Sequence, residues 1–233
     1  MKKIALVYSG QPRDVKECFS NQWKTFWEPN KECEIDVFAH MWNDEGGYFW
    51  DDHKVRGKWE SWQVPFMQEN WKPKGLELEK PKEFSSDIWK PDPRCPHPIN
   101  NTISMLYSLY KANELKKKYE EENNFKYDCV VRLRTDTLFF SKVGPLIDYD
   151  LNYCYVKNVY AHTDYGIDDQ FAFSSSENMD KYFDAYENIC DNIQEGCVIN
   201  PETIIGWNLQ VRNKVKTIKS DINHRLWRDR DGY

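Results

Sequence analysis

Residues Tyr127–Phe140 read YDCVVRLRTDTLFF. With a period of two, Cys129, Val131 and Leu133 fall on one face, and Val130, Arg132, Arg134 and Asp136 on the other. The run DCVV is apolar on both faces, which suits a central strand of a sheet covered on both sides. Two arginines and a carboxylate at its C-terminal end are costly to bury unless they meet ions or one another. In open α/β sheets that edge is where ligands bind. The stretch predicts an anionic ligand, with a metal ion as a further candidate, at the tip of a buried strand.

The rest of the chain fits around such a strand. Residues 3–8 (KIALVY) predict a first strand, followed by the turn Ser9-Gly10-Gln11-Pro12-Arg13 and a helix over about 15–27 that Asp14 would cap. Glu34 to Trp42 predicts a second strand, and strand–turn–helix–strand begins a doubly wound sheet. Residues 43–98 read as an irregular insertion or lid, long for an ordinary connection. A helix is expected from about 99 to 122, short strands at Tyr153–Val156 and Gln170–Ser174, and a helix over Glu177–Asn188. Asn200-Pro201-Glu202-Thr203 opens another helix with a cap residue, a proline and an acid in the first turn. In the tail, 214–228, Val215, Ile218, Ile222 and Leu226 alternate among basic residues. The expected architecture is a single α/β domain over 1–233 with a mostly parallel, Rossmann-like sheet flanked by helices.

Composition narrows the function classes. Hydrophobic residues make up 40% and charged residues 30%, a folded rather than disordered balance. The net charge of −6 speaks against nucleic acid as the main partner. No apolar run approaches a membrane span of ~18 residues, and MKKIALVYSGQPR reads as a strand rather than a signal peptide, so a cytoplasmic location is expected. Seven dispersed cysteines without a CxxC pair predict reduced thiols, not a disulfide scaffold or zinc ribbon. The chain has 10 Trp, 14 Tyr and 12 Phe, and many cluster in Trp42–Trp89, where they read either as a sugar-stacking surface or as the small core of a segment poor in Leu and Val.

Three constellations carry candidate chemistry. Ser9-Gly10-Gln11-Pro12-Arg13 lacks GxxxxGK[ST] and GxGxxG, yet Gly10 lets backbone approach a nucleotide and Arg13 can pair with phosphate; the plain reading is a surface turn. Arg132-Leu133-Arg134-Thr135-Asp136 offers fixed positive charge for a leaving diphosphate and one hard oxygen ligand at Asp136; the plain reading is a structural salt bridge. Asp168 and Asp169, just before an apolar strand, offer a general base or merely close a turn. His224, near Arg225 and Arg228, reads as a tail residue or as a late metal or phosphate contact. No GxSxG element or metal-ligand histidine spacing occurs.

Together these segments resemble small single-domain glycosyltransferases of the GT-A fold, the kind found in large DNA viruses, phages and bacterial surface-glycan clusters. IALVYSGQPRDVKEC with DVFAHMW resembles that group's opening, YDCVVRLRTDTLFF its central strand, IDDQFAFSSSENMDKY its acceptor-side segment and NPETIIGWNL a late helix start. The resemblance spans about two thirds of the chain and leaves out 43–98. It implies transfer of a sugar from a nucleotide-sugar donor to a hydroxyl of a glycan or glycoconjugate acceptor. Ser9, Gly10, Gln11, Arg13, Arg132, Arg134 and Asp136 would then hold the donor. Asp136 would end the metal-binding Asp-x-Asp motif, carrying Mn²⁺ or Mg²⁺, but Arg134 replaces the first acid, so the guanidinium can stand in for part of the ion's charge. Asp169 would be the general base, with Asp168 as runner-up; a base on the acceptor side implies inversion, and a retaining reaction stays open if neither reaches the acceptor. A sugar-phosphate nucleotidyltransferase would carry a glycine-rich loop with lysine after strand one, which SGQPR lacks. A non-catalytic carbohydrate-binding module would leave Arg132, Arg134, Asp136 and Asp169 without a role.

Overall fold

Burial follows the predicted faces of the central strand. The structure, a computed structural model, describes residues 1–43, 48–49, 55–57, 60–84, 99–157 and 165–227. In chain order its elements are β1 (Lys3–Gly10), α1 (Val15–Gln22), β2 (Glu34–Trp42), β3 (Tyr48–Phe49), β4 (Val55–Gly57), α2 (Gln63–Trp71), β5 (Gly75–Glu79) and α3 (Ile99–Glu122). Then follow β6 (Cys129–Leu133), β7 (Thr137–Phe139), β8 (Cys154–Val156), β9 (Ala172–Ser174), α4 (Ser176–Phe183), α5 (Ile189–Gln194), α6 (Pro201–Gly206), β10 (Thr217–Lys219) and β11 (His224–Leu226).

The main sheet has seven strands in the order β10-β8-β9-β6-β1-β2-β5. β1 runs parallel to β2 and β6, β2 to β5, and β8 to β10, while β9 is antiparallel to both neighbours. One face buries Ala5, Val7, Phe38 and Val130 against α3, α4 and α6 through Leu106, Met179 and Ile205. The opposite face buries Leu6, Tyr8, Cys129, Val131 and Leu133 against α1 and α2 through Val15 and Met67. The chain is therefore α/β, with a mostly parallel sheet covered on both sides, as the two-faced apolar runs predict. From β1 the chain builds outward through β2 and β5; α3 then returns it so that β6 pairs on the other side of β1. The strand order reverses there, and Tyr8 lies opposite Leu133 at the C-terminal ends of the two strands.

Some expectations need correction. Part of 43–98 belongs to the main body: α2 packs on the sheet and β5 is its edge strand. The GLELE strand is half-exposed and flanked by Lys and Pro, so its apolar content alone does not announce it. Within this segment Trp42 is buried and Trp71 stacks on Tyr8 with ring centroids 4.3 Å apart, so both are core; Trp62 is exposed. Trp50, Trp59 and Trp89 lie outside the described residues. The first helix ends at Gln22 and continues as a wider π-type turn over Trp23–Trp27, and Asp14 makes no side-chain cap. The helix expected over Glu177–Asn188 stops at Phe183 as α4; a turn covers 184–188, and α5 begins only at Ile189. Asn200 does cap α6, accepting from the Thr203 N–H at 3.2 Å. The tail contains two short strands, β10 and β11. No described helix is long and apolar enough to cross a membrane.

Candidate functional site

At the end of β1 the chain turns at Gly10, whose φ of +104° favours glycine. A Cβ there would meet nothing within 4 Å, so this backbone faces open space. The Gly10 N–H donates to Ser108 Oγ on α3 at 2.9 Å, and Gln63 on α2 donates to Pro12 O at 2.9 Å, so two helices brace the turn. Arg13 folds back onto Gln11, its Nε and Nη2 donating to Oε1 at 3.0 and 2.6 Å. The hydroxyl of Ser9 is buried without a hydrogen-bond partner.

β6 ends at Leu133, and Arg134–Asp136 form a turn beside the first one: Thr135 Oγ1 donates to Gln11 O at 3.2 Å. Arg134 grips Asp136 with two bonds, Nε to Oδ1 at 2.8 Å and Nη2 to Oδ2 at 2.9 Å. Burial lowers the Arg134 pKa, but the Asp136 carboxylate outweighs it and holds the guanidinium firmly charged. Arg132 is buried; its Nε donates to Asp169 O at 3.2 Å and its Nη1 to Leu133 O. Burial lowers its pKa to about 10. Gln22, at the end of α1, holds this turn from below. Its Nε2 donates to the carbonyls of Arg134 (3.0 Å), Thr135 (3.3 Å) and Thr137 (3.0 Å), while its Oε1 accepts from Tyr8 OH at 2.9 Å.

The acidic pair enters from the loop before β9. Tyr182 OH donates to Asp168 O at 2.9 Å, and Asp168 Oδ1 accepts from the Gln170 N–H at 2.7 Å. His224 on β11 is buried, contrary to a tail residue, with Nε2 2.9 Å from Asp168 Oδ2. That contact has ion-pair distance without hydrogen-bond alignment, so neither ring nitrogen of His224 is hydrogen-bonded. β11 pairs with β7, and the Trp227 N–H donates to Asp136 O at 2.6 Å, so the tail closes over the cluster. Burial raises the Asp169 pKa against the pull of Arg134, and the charge of Asp168 raises it further. Glu202, at the start of α6, accepts at its carbonyl from the Ile167 N–H at 3.2 Å. Burial, then Asp169, pushes its carboxyl up to about 7, and its Oε2 is buried without a hydrogen-bond partner.

The residues predicted from sequence thus converge: the Gly10 turn, Arg132, Arg134, Asp136, Asp168 and Asp169 share the C-terminal edge where the strand order reverses. Sequence reasoning read Glu202 only as a helix-start acid and passed over Gln22, because a polar residue inside an amphipathic helix carries no signal of its partners. Asp136, expected as the metal ligand, has both oxygens on Arg134, so an ion there would share the carboxylate with a fixed positive charge. Elsewhere at the same edge His40, Glu77 and Glu79 bring ligand atoms within 4.8 Å of one another and could hold a metal ion. No protein-family model matches the chain, and no curated protein matches it.

Proposed function

We propose that this chain is a glycosyltransferase of GT-A type, moving a sugar from a nucleotide-sugar donor to a hydroxyl of a glycan acceptor. The observation that carries the reading is the meeting of Gly10, with open space before its backbone, and the Arg132–Asp136 turn at the reversal of strand order. The diphosphate of the donor lies along the Gly10–Arg13 turn. Arg134 keeps N–H donors beyond the two it gives Asp136, and those face the charge that develops as the sugar–phosphate bond breaks. Asp169 takes the proton of the acceptor hydroxyl as its oxygen attacks the anomeric carbon and the nucleoside diphosphate leaves; its raised pKa suits a proton acceptor. A base on the acceptor side gives inversion. With both Asp136 oxygens on Arg134, the guanidinium charge opposes Mn²⁺ or Mg²⁺ at the Arg-Thr-Asp turn, and Arg134 supplies the fixed charge instead.

The test is thermal stability against UDP-, GDP-, dTDP- and CMP-sugars, each with Mn²⁺ and with EDTA. A ligand that binds only the folded state raises the midpoint. A rise with one nucleotide family that survives EDTA is expected; no rise with any donor sinks the reading.

One feature favours a second reading, a carbohydrate-binding module. Phe19, Trp23, Trp27, Phe66 and Trp62 form a run of ring contacts with centroids 5.5–6.3 Å apart, and Trp23 and Trp62 are exposed. Glycan binding without turnover of any donor, retained in Asp169→Asn, would favour it.

A further inference from the structure

We propose that His40, Glu77 and Glu79 form a site for a zinc-class transition-metal ion that braces the Gly10 turn through Ser108. His40 lies in the buried part of β2, opposite Glu77 on the edge strand β5, with Glu79 two residues on. Its Nε2 is 3.0 Å from Glu79 Oε2, and its Nδ1 is 2.9 Å from Ser108 Oγ. Ser108 in turn accepts from the Gly10 N–H at 2.9 Å and reaches His40 O at 3.2 Å.

The hydrogen bonds around Ser108 allow the histidine tautomer that a cation needs. Its hydroxyl has one proton and two acceptors to choose from, His40 O and His40 Nδ1. Given to the carbonyl, that proton makes Nδ1–H the donor and leaves Nε2 bare, facing the Glu79 oxygen. In that tautomer a cation joins Nε2 to Glu79; in the other, Ser108 donates to Nδ1 and Nε2–H donates to Glu79, so loading with a metal exchanges that proton for the ion.

The surroundings have the form of a supported metal site. A ligating histidine gives its other ring N–H to a fixed acceptor, here Ser108, and ligating carboxylates are themselves bonded. Glu79 Oε1 takes Lys82 at 2.8 Å and Tyr107 OH at 3.3 Å, and Glu77 Oε1 takes Lys111 at 3.0 Å. Those lysines leave the site poor in net negative charge, so Mg²⁺ and Ca²⁺ are disfavoured. An imidazole nitrogen with two carboxylates suits Zn²⁺ or Co²⁺, leaving a fourth position for water. Ligand atoms about 2.0–2.2 Å from an ion lie roughly 3.4 Å apart. The three ligand atoms, within 4.8 Å of one another, reach that spacing by adjustment of the half-exposed Glu77.

Calorimetric titration of the EDTA-treated full chain with ZnCl₂, and with CoCl₂ followed by visible absorption, tests this without any donor sugar. Its outcome is therefore independent of the glycosyltransferase reading. One saturable site is expected, with a thermal midpoint that rises on loading and falls back with EDTA, and no response to excess Mg²⁺. Glu77→Gln, which leaves the His40–Ser108 pair intact, and His40→Gln should each weaken binding more than tenfold. Absence of saturable binding overturns the proposal. So does binding that both variants retain, or binding that His224→Ala abolishes while Glu77→Gln does not.

Discussion

Arg134 and Asp136, two residues apart beyond β6, hold each other by two nearly equal bonds of 2.8 and 2.9 Å, with Asp136 1% exposed. Removing one partner of such a pair leaves a buried charge uncompensated, which costs about 3–5 kcal/mol. Asp136→Ala should therefore lose about that much in urea unfolding. Arg134→Met with Asp136→Leu should lose less than Asp136→Ala alone, since no lone charge remains. Arg134→Lys keeps the charge without the fork, and under the donor-site reading it should shrink the thermal shift with nucleotide sugar.

Gln22 extends that dependence to α1. One buried amide serves three carbonyls of the Arg134–Thr137 turn and the Tyr8 hydroxyl. Gln22→Leu removes every one of these bonds while filling a similar space. A buried polar group left unpaired costs roughly 1–3 kcal/mol, so the variant should lose about 2–4 kcal/mol once the turn has relaxed. Gln22→Glu should be worse at neutral pH, because a carboxylate then faces three carbonyl oxygens. Equal urea midpoints for the two variants would contradict this account.

These contacts differ in how far sequence reveals them. β2 and α3 fall at Glu34–Trp42 and Ile99–Glu122, the bounds their apolar patterns predict, since strand and helix periodicities are local properties. The faces of β6 are legible for the same reason, and so is the gathering of Arg132, Arg134 and Asp136 at its tip. β5 is not legible: an edge strand needs little apolar surface, and Leu76 and Leu78 alternate with glutamates between lysines and prolines. Gln22, Ser108 and Glu202 gain their roles only from partners far along the chain, at Arg134, Gly10 and Ile167, and no local pattern encodes a pairing across that distance. His224 looks like a tail residue because Asn223 and Arg225 beside it are exposed, but strand alternation turns it inward.

The acidic loop depends on one close approach. Gly206 in α6 lies so near Tyr165 O that any Cβ would intrude into its van der Waals shell, and this oxygen is backbone that cannot swing aside. Gly206→Ala must push α6 away from residues 165–169, which carry Asp168 and Asp169. Overpacking of this kind costs about 1–3 kcal/mol. Under the proposed function the variant should also lose turnover by more than its loss of stability explains, with donor binding at the Gly10 turn largely kept. Unchanged turnover in a variant of reduced stability would show that the loop's position does not matter to the reaction.

Glu202 makes stability fall as pH rises toward neutral. Burial and the neighbouring Asp169 raise its folded-state pKa from an ordinary 4.5 to about 7. Below pH ~4.5 the carboxyl is protonated in both folded and unfolded chains, and it contributes no pH dependence there. Between that value and about 7 the unfolded chain ionises while the folded one keeps its proton, so each step upward favours unfolding; above 7 the loss is complete. At 1.36 kcal/mol per pH unit, the full loss is on the order of 3 kcal/mol. Asp184, raised to about 6 chiefly by burial, tilts the curve the same way over a narrower window. Glu202→Gln holds the group neutral, so it should match the parent near pH 4.5 and exceed it in stability at pH 7.5. Urea unfolding of both proteins across that range gives the two curves, and parallel curves would show that Glu202 ionises normally in the folded state.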